Sequence, residues 1–283
     1  METISGFINL NKPSGLSSAA AVSKVKRMTG GIACGHMGTL DPLASGVLPV
    51  AIGNAARLFN YLLDKEKTYR AIFRFGVETD TLDSTGTYIR EGQYVPTAAE
   101  IEAVLPELIG NIEQMPPLYS AKSVNGVRAY MLARQGKEVS LKAKTVRVNE
   151  FFLVRNEGDC FEFTIRCGGG TYVRSLGRDL AAKLDTCAVM TSLVREKSGY
   201  FTLENSIRIE ELNDWRANLI PPEAVFDMPS LDFDASDANR IKNGQTLPFG
   251  GKDGLYKLYL DDEFYGIAEA KEGRVRAKAK ICA

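Results

Sequence analysis

Apolar and polar positions along this chain alternate in several short runs, broken by a few stretches of helical spacing. GFINLNKPSG reads as a short strand stopped by Pro13 and Gly15. SSAAAVSKVKRMTGG then spaces Ala21, Val22, Val25 and Met28 for a helix, with a serine cap at 17 or 18 and a stop at Gly30-Gly31. VLPVAIG predicts a strand, and NAARLFNYLLD a helix capped by Asn54. In TYRAIFRFG, Tyr69, Ala71, Phe73 and Phe75 share one strand face, with Arg70, Ile72 and Arg74 on the other. PTAAEIEAVLPELIG opens with a capping box, Thr97 and Glu100. MPPLYSAKSVNGVRAYMLARQG is a proline-rich loop leading to a short helix ended by Gly136. KTVRVNEFFLVRNEGDCFEFTIRC predicts a hairpin turning at Asn156 to Asp159, and the glycines at 168–170 open a helix, TYVRSLGRDLAAKL, capped by Thr171. After residue 229 the texture changes. A turn-rich stretch gives way to short strands with tight turns, which predicts a separate small β domain over 230–283.

Composition narrows the class without naming a function. The chain has 283 residues, ample for a large domain plus a small one. Its 35 basic and 35 acidic residues cancel, so any polyanionic partner must be met by local charge. Five widely spaced cysteines with no CxxC pair argue against a disulfide framework and a zinc site. A single histidine argues against a His-rich metal centre. No apolar run approaches the roughly 18 residues that span a bilayer, so a cytoplasmic protein is expected, with no membrane partner and no bound metal.

Candidate chemistry gathers in GHMGTLDPLASGVLP, residues 35–49, which holds the lone histidine, His36. Pro42 pushes Asp41 out of helical geometry, and glycines flank it on both sides. Two readings stay open: an Asx-type turn, or a carboxylate aimed by its backbone for nucleophilic or base work. His36 likewise reads as a loop residue bonded to backbone or as a titrating base. Tyr69, at a strand end, offers an apolar ring with a polar tip. CGGGTYVRSL resembles an anion-gripping turn, although three glycines are weak evidence. Arg174, in the first turn of the helix predicted there, opposes the helix dipole, which calls for an acidic partner elsewhere. Near the C-terminus, Arg274, Arg276, Lys278 and Lys280 alternate with apolar residues. That pattern is either a solvated edge strand or a stripe for a phosphate backbone. KVKR at 24–27 and KAKTVR at 142–147 are further basic clusters.

Together these segments resemble the TruB-type tRNA pseudouridine synthases. GHMGTLDPLASGVLPVAIGNAAR is similar to the catalytic-loop motif of that family. GFINLNKPSGLSS, KTYRAIFRFGVETDTLDSTG, MPPLYSAKSVNGVRAY with ARQGKEV, CGGGTYVRSLGRDLAAKL and LVREKSGYF follow in the family's order, across about residues 6–200. The resemblance implies an α+β fold. Its catalytic core, residues 1–229, would hold a mixed, largely antiparallel sheet flanked by helices and loops, with an RNA-clasping insertion at about 115–145. A small β-barrel-like (PUA-like) RNA-binding domain at 230–283 would follow.

The resemblance also implies roles. The enzyme would isomerise uridine 55 of the tRNA T arm after flipping it out, as a monomer and without a cofactor. Asp41 matches the essential aspartate, which attacks either the ribose C1′ or the uracil ring. Tyr69 matches the tyrosine that stacks on the uracil and is a candidate proton acceptor. Arg174 matches the arginine paired with the aspartate, keeping it ionised and aimed. Leu193 packs on the flipped base, His36 fills space inside the T loop without titrating, and Tyr172 and Lys12 contact substrate. Lys122, Lys142, Lys144 and the C-terminal basic strand are implied backbone contacts. Two departures stand out: Gly168-Gly169 occupy places where a polar or basic residue is common, and Met37 sits where small residues are common. A non-catalytic tRNA-folding protein and a synthase acting on another RNA, such as rRNA, are the competing readings. The joint presence of Asp41, Tyr69 and Arg174 favours the tRNA enzyme.

Overall fold

The computed structural model describes residues 4–281, apart from residue 64 and, within 121–140, all but 123–124, 126–128 and 135. Its larger unit is built on a ten-stranded sheet of strands β1 (Gly6–Lys12), β2 (Cys34–His36), β3 (Ser45–Ile52), β4 (Lys67–Phe75), β5 (Gly110–Gln114), β6 (Lys144–Glu157), β7 (Cys160–Cys167), β8 (Ala188–Ser198), β9 (Phe201–Thr202) and β10 (Ile207–Arg208). The order is β10-β1-β3-β8-β4-β7-β6-β5, with β2 against β3 and β9 against β8. Only β1 with β10 and β3 with β8 pair in parallel, so the sheet is mixed and largely antiparallel.

Strand β4 is central and follows its sequence pattern. Tyr69, Ala71, Phe73 and Phe75 are buried on one face, and Arg70 and Arg74 point out to carboxylates at Glu196 and Asp159. Phe73 and Phe75 meet Phe163 and Phe161 of β7 with ring centroids 5.4 and 5.3 Å apart. Against this face packs helix α3 (Val173–Lys183), whose Gly177 lies on the Phe73 ring.

Helix α1 (Ser18–Met28) begins at Ser17, whose hydroxyl accepts from the Ala20 amide. Helix α2 (Ala98–Val104) has the Thr97–Glu100 capping box. Helix α3 (Val173–Lys183) starts one residue later than the sequence suggests. Tyr172 is its cap, and Thr171 instead turns its hydroxyl back to the Gly168 carbonyl at 3.1 Å. Residues 53–61 form a 3₁₀ segment, and Asn54 does not cap it: its side-chain Nδ2 donates to the Ile281 carbonyl at 2.9 Å. A tertiary hydrogen bond has overridden the local signal.

The smaller unit is a curled five-stranded sheet of β11 (Ser230–Phe233), β12 (Leu247–Pro248), β13 (Gly254–Leu260), β14 (Glu263–Lys271) and β15 (Arg274–Lys280), in the order β11-β13-β14-β15-β12. It also holds helix α4 (Ala235–Lys242), capped by Asp234 in the stretch that reads as turns in the sequence. Eight residues with a polar outer face give little hydrophobic period, so the cap is the better signal. The unit is joined to the core through a shared apolar cluster in which Ile267, Ala279 and Ile281 meet Phe7, Val47 and Leu58.

Candidate active site

The site is assembled at the ends of β3, β4 and β8 and the start of α3. The loop carrying Asp41 is fixed from several sides. Ser18 of α1 donates to the Leu40 carbonyl and accepts from the Leu40 amide, both at 2.8 Å. The Gly15 amide donates to the Pro42 carbonyl at 2.7 Å, and the Ala44 amide to Asp41's own carbonyl at 3.0 Å. From β8, the buried Arg195 donates to the carbonyls of Val47 at 2.7 Å and Gly38 at 3.0 Å. Where the loop meets β8, Gly46 (φ +98°) is required: a Cβ there would lie 2.3 Å from the Arg195 carbonyl oxygen. Asp41 is therefore held by its backbone, as the Gly/Pro pattern implies.

The acidic partner that Arg174 calls for is present twice. Its Nε lies 2.9 Å from Asp41 Oδ2, and its Nη1 lies 3.4 Å from Asp83 Oδ2. The guanidinium also donates to the Thr81 carbonyl at 2.8 Å and the Tyr119 carbonyl at 3.0 Å. Asp83 is itself held by Thr81 and by the amide and hydroxyl of Thr85. Arg174 is 6% exposed, so a buried cation sits between two carboxylates, a fork geometry suited to arginine. Burial pushes Asp41's carboxyl above the ordinary aspartate value of 3.8, Arg174 pulls it back, and Asp83 adds a further upward push. The pairing thus aims Asp41 while burial still favours its protonated form.

Asp41 and Arg174 open onto a cavity of about 360 Å³, lined also by Tyr69, Tyr172, Leu193, Arg195 and Lys67. Four residues that the sequence scatters over more than 150 positions, Asp41, Tyr69, Arg174 and Leu193, share this wall. Tyr69 is 7% exposed; burial pushes its phenol up, and the neighbouring Arg195 pulls it back. It faces the cavity as a neutral, apolar ring. Tyr172 is clamped through its backbone, its amide donating to Gln114 Oε1 at 2.8 Å and its carbonyl accepting from Gln114 Nε2 at 3.1 Å. Asp83, Arg195, Lys67 and Gln114 escape a residue-by-residue reading. Asp83 and Arg195 lie inside TDTLDSTG and LVREKSG, but nothing local distinguishes a buried ion pair from a solvated one.

Other expected residues stand apart from the cavity. Lys12 is fully buried, with its ammonium on the carbonyls of Pro13 at 2.8 Å and Leu16 at 2.6 Å, and burial lowers its pKa to about 8. It braces the turn beneath the Asp41 loop. His36 lies on β2 with Nδ1 buried and without a hydrogen-bond partner. Burial, then Arg195, hold its pKa below 6.5. Because it is the only histidine, its imidazole resonances are unambiguous, and NMR titration is expected to place its midpoint below 6.5. A neutral His36 contributes stability that is present above pH 6.5 and lost as pH falls through the folded value. A midpoint at or above 6.5 would contradict this environment.

Lys144, at the start of β6, brings Nζ within 3.1 Å of the point where a Cβ on Gly170 would stand, beside a second cavity of about 150 Å³ lined by Tyr172. An ammonium thus stands next to the glycine turn that lacks a basic side chain of its own. Lys142 precedes β6, and Lys122 lies outside the described residues. On β15, Val275 and Ala279 are buried and Arg274, Arg276 and Lys278 exposed, as the alternation requires. However, Arg276 and Lys278 both pair with Glu269, at 3.4 and 3.0 Å, and Lys280 bonds the Lys242 carbonyl at 3.2 Å. The stripe is partly neutralised by its neighbour strand. Among the described residues, no group of His, Cys, Asp and Glu has metal-binding geometry, and no helix is long and apolar enough to cross a membrane.

Residues 26–173 match the model of the TruB family pseudouridylate synthase (N terminal domain), and residues 229–279 that of Pseudouridine synthase II TruB, C-terminal. The chain is 40% identical over 285 residues to the tRNA pseudouridine synthase B of Acaryochloris marina, with 98% of each covered. It is 36% identical over 282 residues to that of Caldanaerobacter subterraneus, covering 98% of this chain and 99% of the relative. Among solved structures, the crystal structure of a Cbf5-Nop10-Gar1 complex superposes with a TM-score of 0.74 at 26% identity, over 98% of this chain and 84% of that one. The family models matched by both parts of the chain, and the relatives 36–40% identical over nearly its whole length, make the chain a member of the TruB family of pseudouridylate synthases.

Proposed function

We propose that this protein converts uridine 55 in the T arm of tRNA to pseudouridine, acting as a cytoplasmic monomer. The observation that carries the reading is the ion pair between the buried Arg174 and Asp41 at the cavity wall shared by Tyr69 and Leu193. The similar proteins named tRNA pseudouridine synthase B support tRNA as the substrate. A cavity of about 360 Å³ takes one nucleotide and no duplex, so the target base must leave the folded loop to react. Tyr69 and Leu193 supply the apolar faces for that base, and His36, neutral and off the cavity, fills space in the opened loop.

The reaction is an isomerisation. The N1–C1′ bond breaks, the uracil turns, and C5 bonds to C1′; C5 releases a proton and N1 takes one up. Nothing is oxidised or reduced. An ionised Asp41 supplies the negative charge that an electron-poor sugar carbon needs, as the nucleophile of a retaining glycosidase does. Attack on the ring in place of C1′ uses the same carboxylate. Arg174 keeps that carboxylate aimed through the step. Tyr69, with its phenol pushed up by burial, enters as a stacking surface that is protonated at rest.

Around the site, the insertion at about 115–145 is rooted on α3: Ser175 and Arg178 both donate to the Met115 carbonyl at 2.9 Å, next to the Arg174 bond to Tyr119. This anchorage suits a segment that closes over the T stem-loop. Lys144 is placed to meet a phosphate at the glycine turn, and the 230–283 unit extends the RNA surface. Incubating the protein with a tRNA transcript carrying tritium at C5 of uridine is expected to release tritium in proportion to enzyme turnover. A U55C transcript is expected to release none. Equal release from both transcripts would overturn the assignment of position.

A further inference from the structure

The longest run of this chain without an acidic residue is at its start: none falls between residue 3 and residue 40. The segment is not short of cations, with Lys12, Lys24, Lys26 and Arg27. Lys12 is buried inside it, but Lys24, Lys26 and Arg27 line a shallow groove of about 750 Å³ on the outer face of α1, together with Ala20, Ser23 and Gly31. Lys26 and Arg27 are exposed and Lys24 half-buried. No ion pair joins any of the three to a carboxylate among the described residues. Elsewhere the surface arginines are commonly paired, as at Arg70, Arg74, Arg90, Arg155 and Arg166.

The helix itself does not require this charge. Cations in a last turn offset the helix dipole, but the terminal carbonyls of α1 already have partners. The Thr29 amide donates to Val25 at 2.9 Å, that of Gly30 to Arg27 at 3.1 Å and that of Gly31 to Lys26 at 2.8 Å. The other end of α1 is where Ser18 grips Leu40, one residue before Asp41. One helix therefore connects the unpaired cations to the catalytic loop, with no acidic residue in the sequence between them.

We propose that the α1 groove is a docking surface for the tRNA phosphate backbone, contacted by Lys24, Lys26 and Arg27 while the T arm occupies the site. This rests on the proposed function and extends it to a surface outside the cavity. Binding of this kind releases counterions, so each phosphate contact adds to the salt dependence of affinity.

The test compares the parent with a Lys24→Gln/Lys26→Gln/Arg27→Gln variant, measuring equilibrium binding to an unmodified tRNA transcript over a range of KCl concentrations. A matched variant removes the same nominal charge from Arg90, Arg155 and Lys183, which already have carboxylate partners. The groove variant is expected to bind about tenfold more weakly near physiological salt, with a log–log salt slope shallower by about 2. The matched variant is expected to stay close to the parent. Circular dichroism and melting of all three establish that these surface changes leave the fold intact. Parental affinity and slope in the groove variant would overturn the proposal. So would intact tRNA binding together with lost binding to phosphatidylserine vesicles, which would assign the groove to a membrane surface. Product formation by the parent is scored on the same preparations. A parent that binds tRNA through α1 yet makes no pseudouridine refutes the activity alone, and a productive parent whose groove variant binds normally refutes the groove alone.

Discussion

Asp41→Asn is expected to lower pseudouridine formation by about ten-thousandfold or more while the protein stays folded and binds tRNA. The substitution keeps the shape of the side chain and an oxygen facing the Arg174 Nε, so the loop held by Ser18, Gly15 and Arg195 has no reason to move. What is lost is the negative charge offered to the substrate. The effect on stability is expected to be small. Burial raises the pKa of Asp41 in the folded state, so ionising it costs stability as pH rises from 3.8 through the folded value. Asn removes that cost, and Asp83 remains as a counter-charge for Arg174. A melting temperature at pH 7 equal to or slightly above the parent's is the expected result, with product absent by nucleoside analysis. The same shift predicts that turnover by the parent falls on acidification at a pH higher than an ordinary aspartate would give. Near-normal turnover by Asp41→Asn would remove the carboxylate from the chemistry.

Arg174 is expected to be the opposite case, expensive for both stability and activity. Arg174→Met leaves the buried Asp83 and the half-buried Asp41 without their cation, and leaves the carbonyls of Thr81 and Tyr119 without their donor. Breaking a buried ion pair from one side costs about 3–5 kcal/mol. For a chain of this size that is a drop of about 10 °C in melting temperature. The upward push of Asp83 on Asp41 is then no longer offset by a cation, so Asp41 is protonated over more of the working pH range. Arg174→Lys restores one charge but no fork. It is expected to recover part of the stability and little of the activity, because a single ammonium does not span Asp41, Asp83 and two carbonyls. Calorimetry and product assays on the two variants check this. An Arg174→Met protein as stable as the parent would mean that the guanidinium is not the keystone its contacts indicate.

Much of this site was legible before folding, for identifiable reasons. Asp41 stood out because a proline and three glycines around one carboxylate constrain backbone, and the hydrogen bonds of Gly15, Ser18 and Ala44 are what that constraint becomes. Arg174 stood out because a cation in a helix's first turn is unfavourable locally, and the structure supplies the carboxylates that reverse the sign. The alternation in β4 correctly put Tyr69 on the inner face. Asp83, Arg195 and Gln114 were not legible, because their roles are tertiary. Arg195 is an ordinary strand residue until its side chain is seen on the carbonyls of Gly38 and Val47. Gln114 matters only through the two hydrogen bonds it makes with Tyr172, 58 residues away. Lys12, which the resemblance assigns to substrate, is buried in the structure with its ammonium on the carbonyls of Pro13 and Leu16, an environment that nothing in its own segment announces. The basic C-terminal strand kept its two faces but lost part of its charge to Glu269, since a strand's partner is invisible from its own sequence.

On the proposed function, the cavity shared by Asp41, Tyr69, Arg174 and Leu193 receives one flipped uridine of tRNA and isomerises it. The most direct measurement is to incubate the purified protein with an unmodified tRNA transcript and map pseudouridine by carbodiimide-dependent primer extension, with Asp41→Asn alongside. A single reverse-transcription stop reporting nucleotide 55 in the parent lane, absent from the Asp41→Asn lane, is the predicted result. Folded parent protein and intact tRNA with no stop in the T loop would contradict it.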